Sequence, residues 1–302
     1  MRMASNEHSI KRGPGRPPKK RPPPRVDKYG IAENPDSPHH RLEFVYEDPM
    51  MFKSLFTYFK NLKARDIHIR CTPAGITFFT RDQSRISRIV AHIPGKEVNH
   101  YYCDDTFWLG MNRDKIEKLF SSIDKSFYKI TILYRYDEEE FLTFVFRDHE
   151  IDKECNYKIT VSLPEEDAEL IEVEKNATDG AIQKFPIEWE LSSKQFKKTF
   201  NDASNYADTI TVEKLGETPL QLTYSHRDIV YYEVYRSTPK IKLRSTIEKN
   251  QTFRCTVKVA NVKCLAAAMV TETVRIMCRE DDDILFRSEI DALVMSTFTS
   301  LV

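Results

Sequence analysis

The spacing of apolar positions changes repeatedly along the chain, and each change marks an element. From Leu42 onward short stretches alternate at period two, the pattern of half-buried strands, over 42–46, 66–71, 75–80 and 85–93. Between the first two, Met51, Phe52, Leu55, Phe56, Phe59 and Leu62 recur at helical spacing. They predict a helix from Pro49 to about Lys63, with Asp48 as N-cap and proline at the first helical position. A strand near 101–111 leads into a second helix over about Asn112 to Asp124, with Ile116, Leu119, Phe120 and Ile123 inward. A hairpin follows, YKITILYRY–DEEE–FLTFVFR, with an acidic turn at Asp137 to Glu140, and then a strand, NYKITVSL.

Residues 164–186 are acidic, carry proline at each end and read as a linker. After them the same order returns. Strand 187–191 precedes a helix from Ser193, where Ser192 and Gln195 form a capping-box pair. Strands over 208–214, 219–225, 229–236, 239–247 and 252–258 lead to a helix at about 259–270. A hairpin with a turn at Glu280 to Asp283 and a last strand complete the repeat. Two runs of strand–helix–strands–helix–strands predict duplicated α+β domains, 41–163 and 187–302. Residues 1–40 break the pattern: they hold eight of the fifteen prolines and predict a disordered basic arm.

Composition narrows the class. At 302 residues, 40% apolar and 30% charged, the chain can bury two ordinary cores. No apolar run nears the ~20 residues of a membrane span, so no membrane partner is expected. The opening MRMASNEHSIKRGPGRPPKKR lacks an apolar h-region, so a secretory signal is not expected either. The six cysteines form no C-x-x-C pair and read as reduced thiols.

The formal net charge is zero, from 46 basic and 46 acidic residues, but it is a cancellation. The arm carries nine basic and four acidic residues, a net of +5. The helical windows 49–63, 112–123, 192–204 and 259–270 carry ten basic and three acidic residues, a net of +7, which leaves −12 for the rest. Their polar faces present Lys53 and Lys60, then Arg113, Lys115 and Lys118, then Lys194, Lys197 and Lys198, then Lys263. Basic helices inside an acidic body suit a polyanion, and lysine, a flexible point charge, suits phosphate rather than base edges.

Catalytic signatures are missing: no G-x-S-x-G, H-E-x-x-H, Walker loop or G-x-G-x-x-G. The acids Asp148, Glu150, Asp152 and Glu154 around His149, and the run Asp281–Asp283, could form a two-metal nuclease site. The second falls in a predicted hairpin turn, where acids are simply solvated. No catalytic residue, metal or cofactor is therefore expected.

Several stretches carry a family resemblance: LEFVYEDPMMFKSLFTYFKNLKARDIHIRCTPAGITFFTRDQSRIS, FWLGMNRDKIEKLFSSID, LTFVFRD, SSKQFKKTFNDASNYADTITVEK, IKLRSTI and CTVKVANVKCLAAAM. Over about residues 41–302 the chain resembles sliding clamps of the proliferating cell nuclear antigen type, most of all the clamp-like proteins of asfarviruses and related large DNA viruses. The resemblance implies a DNA-clamp fold and a homotrimeric ring around double-stranded DNA. It further implies a DNA polymerase processivity factor that tethers replication and repair proteins, with an ATP-driven loader among possible partners. By position, Lys53, Lys60, Lys118 and Lys198 match hole-lining residues of the family, whereas Lys115, Lys194, Lys197 and Lys263 follow from helix geometry. Ring closure through edge strands would use Glu140–Arg147 (Phe141, Thr143, Val145) and Lys240–Ile247 (Lys240, Lys242, Arg244), which hides two exposed edges. A partner peptide would dock under the linker near Ile171 and Val173, the Arg81–Ile86 segment, and Thr299 to Leu301. Arg81 stands where the family groove usually has an apolar residue, and the sequence stops at Val302 without the family's tail, so partner motifs are expected to differ.

In the arm, PGRPPKKR resembles an AT-hook, in which Arg16 would enter an A·T minor groove while Lys19 and Lys20 meet phosphate. A targeting signal and a plain solvating tail also remain open for these residues. An intracellular place is expected, at a viral replication site in host cytoplasm or in the nucleus. Two other readings stay open: a monomeric clamp-fold accessory or packaging protein with one basic face, and a metal-dependent nuclease.

Overall fold

A computed structural model describes residues 40–64, 66–151, 153–177, 185–226, 229–280 and 284–299. The first run of elements is β1 (His40–Tyr46), α1 (Pro49–Asn61), β2 (Asp66–Thr72), β3 (Gly75–Arg81), β4 (Ser87–Pro94), β5 (His100–Cys103), β6 (Phe107–Asn112), α2 (Arg113–Ser121), β7 (Phe127–Arg135), β8 (Phe141–Asp148) and β9 (Glu154–Thr160). A helix, α3 (Ala168–Asn176), comes next. The second run is β10 (Ile187–Ser192), α4 (Ser193–Ala203), β11 (Thr209–Leu215), β12 (Leu220–His226), β13 (Ile229–Tyr235), β14 (Lys242–Ser245), β15 (Thr252–Lys258), α5 (Val259–Ala268), β16 (Thr273–Cys278), β17 (Ile284–Ile290) and β18 (Leu293–Thr299). Each run is one strand, a helix, five strands, a helix and three strands. The fold class is α+β, that of a DNA clamp.

Local chemistry starts the helices where the sequence places them. Asp48 caps α1 by accepting from the Met50 amide at 2.8 Å, and Asn112 caps α2 by accepting from Asp114 at 2.9 Å. Ser192 caps α4 by accepting from Gln195 at 3.2 Å; the Gln195 side chain turns to Thr199 instead of closing the capping box.

All three sheets are antiparallel. Their strand orders are β5-β1-β7-β8-β9, β14-β10-β16-β17-β18-β4-β3-β2-β6 and β13-β12-β11-β15. The nine-stranded sheet contains strands of both runs, joined where β18 pairs with β4, for example Met295 opposite Ala91. α1 packs beside α2, α4 beside α5, and α1 also meets α5, so four helices form one row, α2–α1–α5–α4. The core lies between this row and the sheets. Phe52 and Phe56 of α1 meet Phe120 of α2 at 6.0 and 4.7 Å, and Phe196 of α4 meets Phe286 of β17 at 5.6 Å. Burying such a ring contributes on the order of 1.5–3 kcal/mol, so these contacts fix the helix row on the sheet.

Two expectations change here. The linker is not all irregular, because α3 packs Leu170 and Val173 on the far face of the nine-stranded sheet, against Phe79, Val90, Trp108, Met277, Leu285 and Phe298. And β8 is no edge strand. It pairs with β7 on one side and β9 on the other, so its main-chain groups are taken, and Phe141, Thr143 and Val145 cannot offer the strand pairing expected of them.

Candidate nucleic-acid interface

The helix row brings together residues that the sequence spreads over some two hundred positions. Lys115, Lys118, Lys194, Lys198 and Lys263 are exposed on it, as is Lys60. They are not equivalent. Among the described residues Lys115, Lys118, Lys194 and Lys198 make no ion pair, and their ammonium groups are left to solvent or to a ligand. Lys60 pairs with Glu117 across α1 and α2 at 2.6 Å, Lys263 donates to Ser204 at 2.9 Å, and Arg113 is held by its neighbour Asp114.

Lys53 and Lys197 each spend one donor on a main-chain carbonyl. Lys53 donates to the Ile123 carbonyl just past α2, and Lys197 donates to the Met269 carbonyl at the end of α5, at 3.0 Å. A cation there satisfies an orphan carbonyl and opposes the negative end of the helix dipole. The sequence reading placed Lys53 on the DNA face by the family resemblance and Lys197 by helix geometry, and neither signal names the carbonyl that each lysine meets. Arg16, Lys19 and Lys20 lie outside the described residues, as do Leu301 and Asp281–Asp283.

Of the acids weighed for a metal site, Asp148 accepts from the Glu150 amide at 2.8 Å and from Ser126 at 2.8 Å, which hold its carboxyl below the usual range. Among the described residues no helix is long and apolar enough to cross a membrane. All six thiols are free.

Two strands that the sequence reading predicted but did not assign to ring closure lie at the ends of their sheets. β9 ends the five-stranded sheet and β13 ends the four-stranded one. The outer face of β13 leaves Val230, Tyr232 and Val234 exposed at 63%, 66% and 40%. The signal was in the sequence: IVYYEVY is apolar on both faces, yet its strand has only one face on the core. Of the other expected edge residues, Lys242 and Arg244 do lie on an outer strand, β14, and pair across to Glu190 and Glu188 of β10. Lys240 lies just before it.

Comparison with known proteins accords with this geometry. Residues 41–170 match the proliferating cell nuclear antigen N-terminal domain. The chain is 55% identical to an uncharacterized protein of African swine fever virus over 292 residues, 96% of this chain and 97% of that one. It is 26% identical to proliferating cell nuclear antigen 1 of Plasmodium falciparum over 172 residues, 57% of this chain and 59% of the relative. Against the Saccharomyces cerevisiae antigen it is 23% identical over 177 residues, 59% and 64% of the two chains.

The chain belongs to the proliferating cell nuclear antigen family. In this family member the groove residues expected under the linker sort into two groups. Val173 is buried beneath α3 and Ile171 packs at its margin, while Thr299 is fully buried and hydrogen-bonds Ser87 at 3.1 Å. Ile86 lies in the turn before β4 and is half-buried. Arg81 does not break the groove. It reaches α3 and pairs with Glu169 at 2.6 Å and Asp167 at 3.4 Å.

Proposed function

We propose that this protein is a sliding clamp, with copies closed into a trimeric ring around duplex DNA to tether a polymerase and other replication or repair proteins. The observation that carries the reading is the single row of helices, whose exposed ammonium groups at Lys115, Lys118, Lys194 and Lys198 are not consumed by carboxylates. Lysine–phosphate contacts are alike at every step along DNA, so they hold a ring near the axis without pinning it to a sequence. A closed ring supplies a topological tether, which makes tight binding unnecessary.

Ring closure is assigned to the open edges of β9 and β13. Each copy offers both edges, and head-to-tail pairing of unlike edges closes when the rotation fits. Pairing satisfies both rows of main-chain groups and sets cross-strand side chains beside Val230, Tyr232 and Val234. The arm adds a second DNA contact through Arg16, Lys19 and Lys20. Similarity to a viral protein supports work at a viral replication site in the host cell.

The decisive experiment is polymerase extension on a primed circle, with and without the protein, beside its retention on closed and linearised circles. Longer products and retention lost on linearisation are expected. Retention indifferent to linearisation would favour a monomer that uses one basic face.

A further inference from the structure

We propose that each copy-to-copy junction of the ring is a phosphate site built by two copies, so that duplex DNA strengthens ring closure. The proposal rests on the ring reading above and adds where the ring holds phosphate and what that does to its assembly.

The layout of this junction follows from the one inside the chain. There β18, the third strand after α5, pairs with β4, the third strand after α1, and α5 meets α1. β9 is likewise the third strand after α2, and β13 the third after α4. Joining β9 to β13 of the next copy therefore repeats the inner junction and sets α2 beside the next copy's α4. Those two helices are the ends of the row α2–α1–α5–α4.

The two junctions differ in charge. Within α1 and α5 every cation is engaged: Lys53 on the Ile123 carbonyl, Lys60 on Glu117 and Lys263 on Ser204. The end helices carry the unpaired ones, Lys115 and Lys118 on α2 and Lys194 and Lys198 on α4, all exposed. The acids of α2 are already taken, Asp114 by Arg113 and Glu117 by Lys60. Beside α4 there remain Asp202 and, on β13, Glu233. Glu233 accepts from Thr199 at 3.3 Å, Tyr224 at 3.3 Å and Tyr235 at 2.6 Å, all of them hydroxyls. Among the described residues each closed junction thus gathers four free ammonium groups against two carboxylates, whereas the helices of the inner junction bring none.

Packed helices stand ~8–10 Å apart, within the Debye length of about 10 Å at 0.1 M salt. Like charges brought that close oppose closure, and a phosphate strand lying across the junction removes the opposition. A duplex that gains a four-lysine site only when the ring is shut must, by linkage, tighten the ring by the same factor. The empty ring in dilute salt is then the loose form and the ring on DNA the tight one.

The test uses the full chain and mass photometry, which gives the concentration at which half the copies are trimeric. For wild type in 50 mM NaCl, a 40-base-pair duplex should lower that midpoint at least tenfold. Without DNA, 500 mM NaCl should lower it too, the reverse of an interface held by ion pairs. A chain carrying Lys115→Ala, Lys118→Ala, Lys194→Ala and Lys198→Ala should assemble at least threefold more tightly than wild type in 50 mM NaCl without DNA. It should match wild type in 500 mM NaCl and no longer respond to the duplex. Should a thermal melt report that this variant is misfolded, Lys118→Ala with Lys194→Ala is held to the same signs. Placement is read separately, in a Cys155→Ser, Cys264→Ser background that removes the two thiols that are not buried. There Lys118→Cys with Lys198→Cys should give a covalent trimer with a short bismaleimide, and neither single cysteine should, because two helices separate α2 from α4 within one copy. A trimer that does not cross-link, a duplex that leaves the midpoint in place, or an alanine variant no tighter than wild type each overturns the composite site while the ring stands. No trimer at any concentration, with or without DNA, removes the ring and this site together.

Discussion

Lys197 on α4 donates from Nζ to the Met269 carbonyl at the end of α5, 3.0 Å away, and Lys53 on α1 does the same to Ile123 past α2. The two runs of elements therefore repeat a side-chain device as well as an order. In each, the first helix uses a lysine to close the C-terminus of the second. Replacing either lysine by methionine should lower stability by about 1 kcal/mol in urea unfolding, the usual scale for a partly buried cation at a helix C-terminus. DNA retention should hardly change.

The opposite outcome is expected for Lys115, Lys118, Lys194 and Lys198. Alanine at these positions should leave the melting temperature unchanged and weaken DNA binding. The slope of log affinity against log salt should flatten by about 0.9 for each lysine that meets a phosphate. Titrations at several salt concentrations measure it, and an unaltered slope for all four would remove the helix row as the DNA surface.

Oligomeric state separates a strand proposed for ring closure from one that the ring expectation named. Tyr232→Glu on the open edge of β13 should shift light scattering from three copies of 35.4 kDa toward one. Thr143→Glu on β8, whose pairing is complete within the chain, should leave the assembled mass as it is.

Glu43 gives a pH test. Burial alone would raise its carboxyl, but hydrogen bonds shared with His100 at 2.9 Å and His40 at 2.8 Å outweigh it and hold the group at about 2, against an ordinary 4.5. A carboxyl depressed by folding stabilises the protein above its unfolded value and loses that contribution as pH falls through the folded one. Glu43→Gln should therefore cost on the order of 2 kcal/mol above pH 4.5. The difference from wild type should close between pH 4.5 and about 2, as followed by urea melts across that range.

A further contact couples the two runs of elements. Tyr58 of α1 and Thr297 of β18 share a buried hydrogen bond of 2.8 Å. Tyr58→Phe strands the threonine hydroxyl and should cost about 1 kcal/mol in unfolding free energy. Primed-circle extension should be unaffected, because neither group faces the exposed lysines.

Much of the fold was legible because its signals are local. Asp48 before Pro49, the Phe52–Phe59 stripe and the apolar IVYYEVY run each act within a few residues of themselves. The α3 helix was not legible. Residues 164–186 look like an acidic linker, and nine of them are helical only because a sheet assembled from distant strands supplies Phe79, Trp108 and three arginines. Nor could the outer strands be identified, since spacing predicts a strand without naming its neighbours: β8 and β9 read alike until pairing places β8 inside.

By itself the sequence determined where strands and helices begin, that their order repeats, and that the helices are basic within an acidic body, because periodicity, capping and charge are properties of neighbouring residues. Tertiary structure alone decided which lysines remain free and which close a helix, which strands keep open edges, and what α3 covers. Those outcomes depend on the acceptor or partner that folding sets beside a side chain, and that partner lies tens to hundreds of residues away.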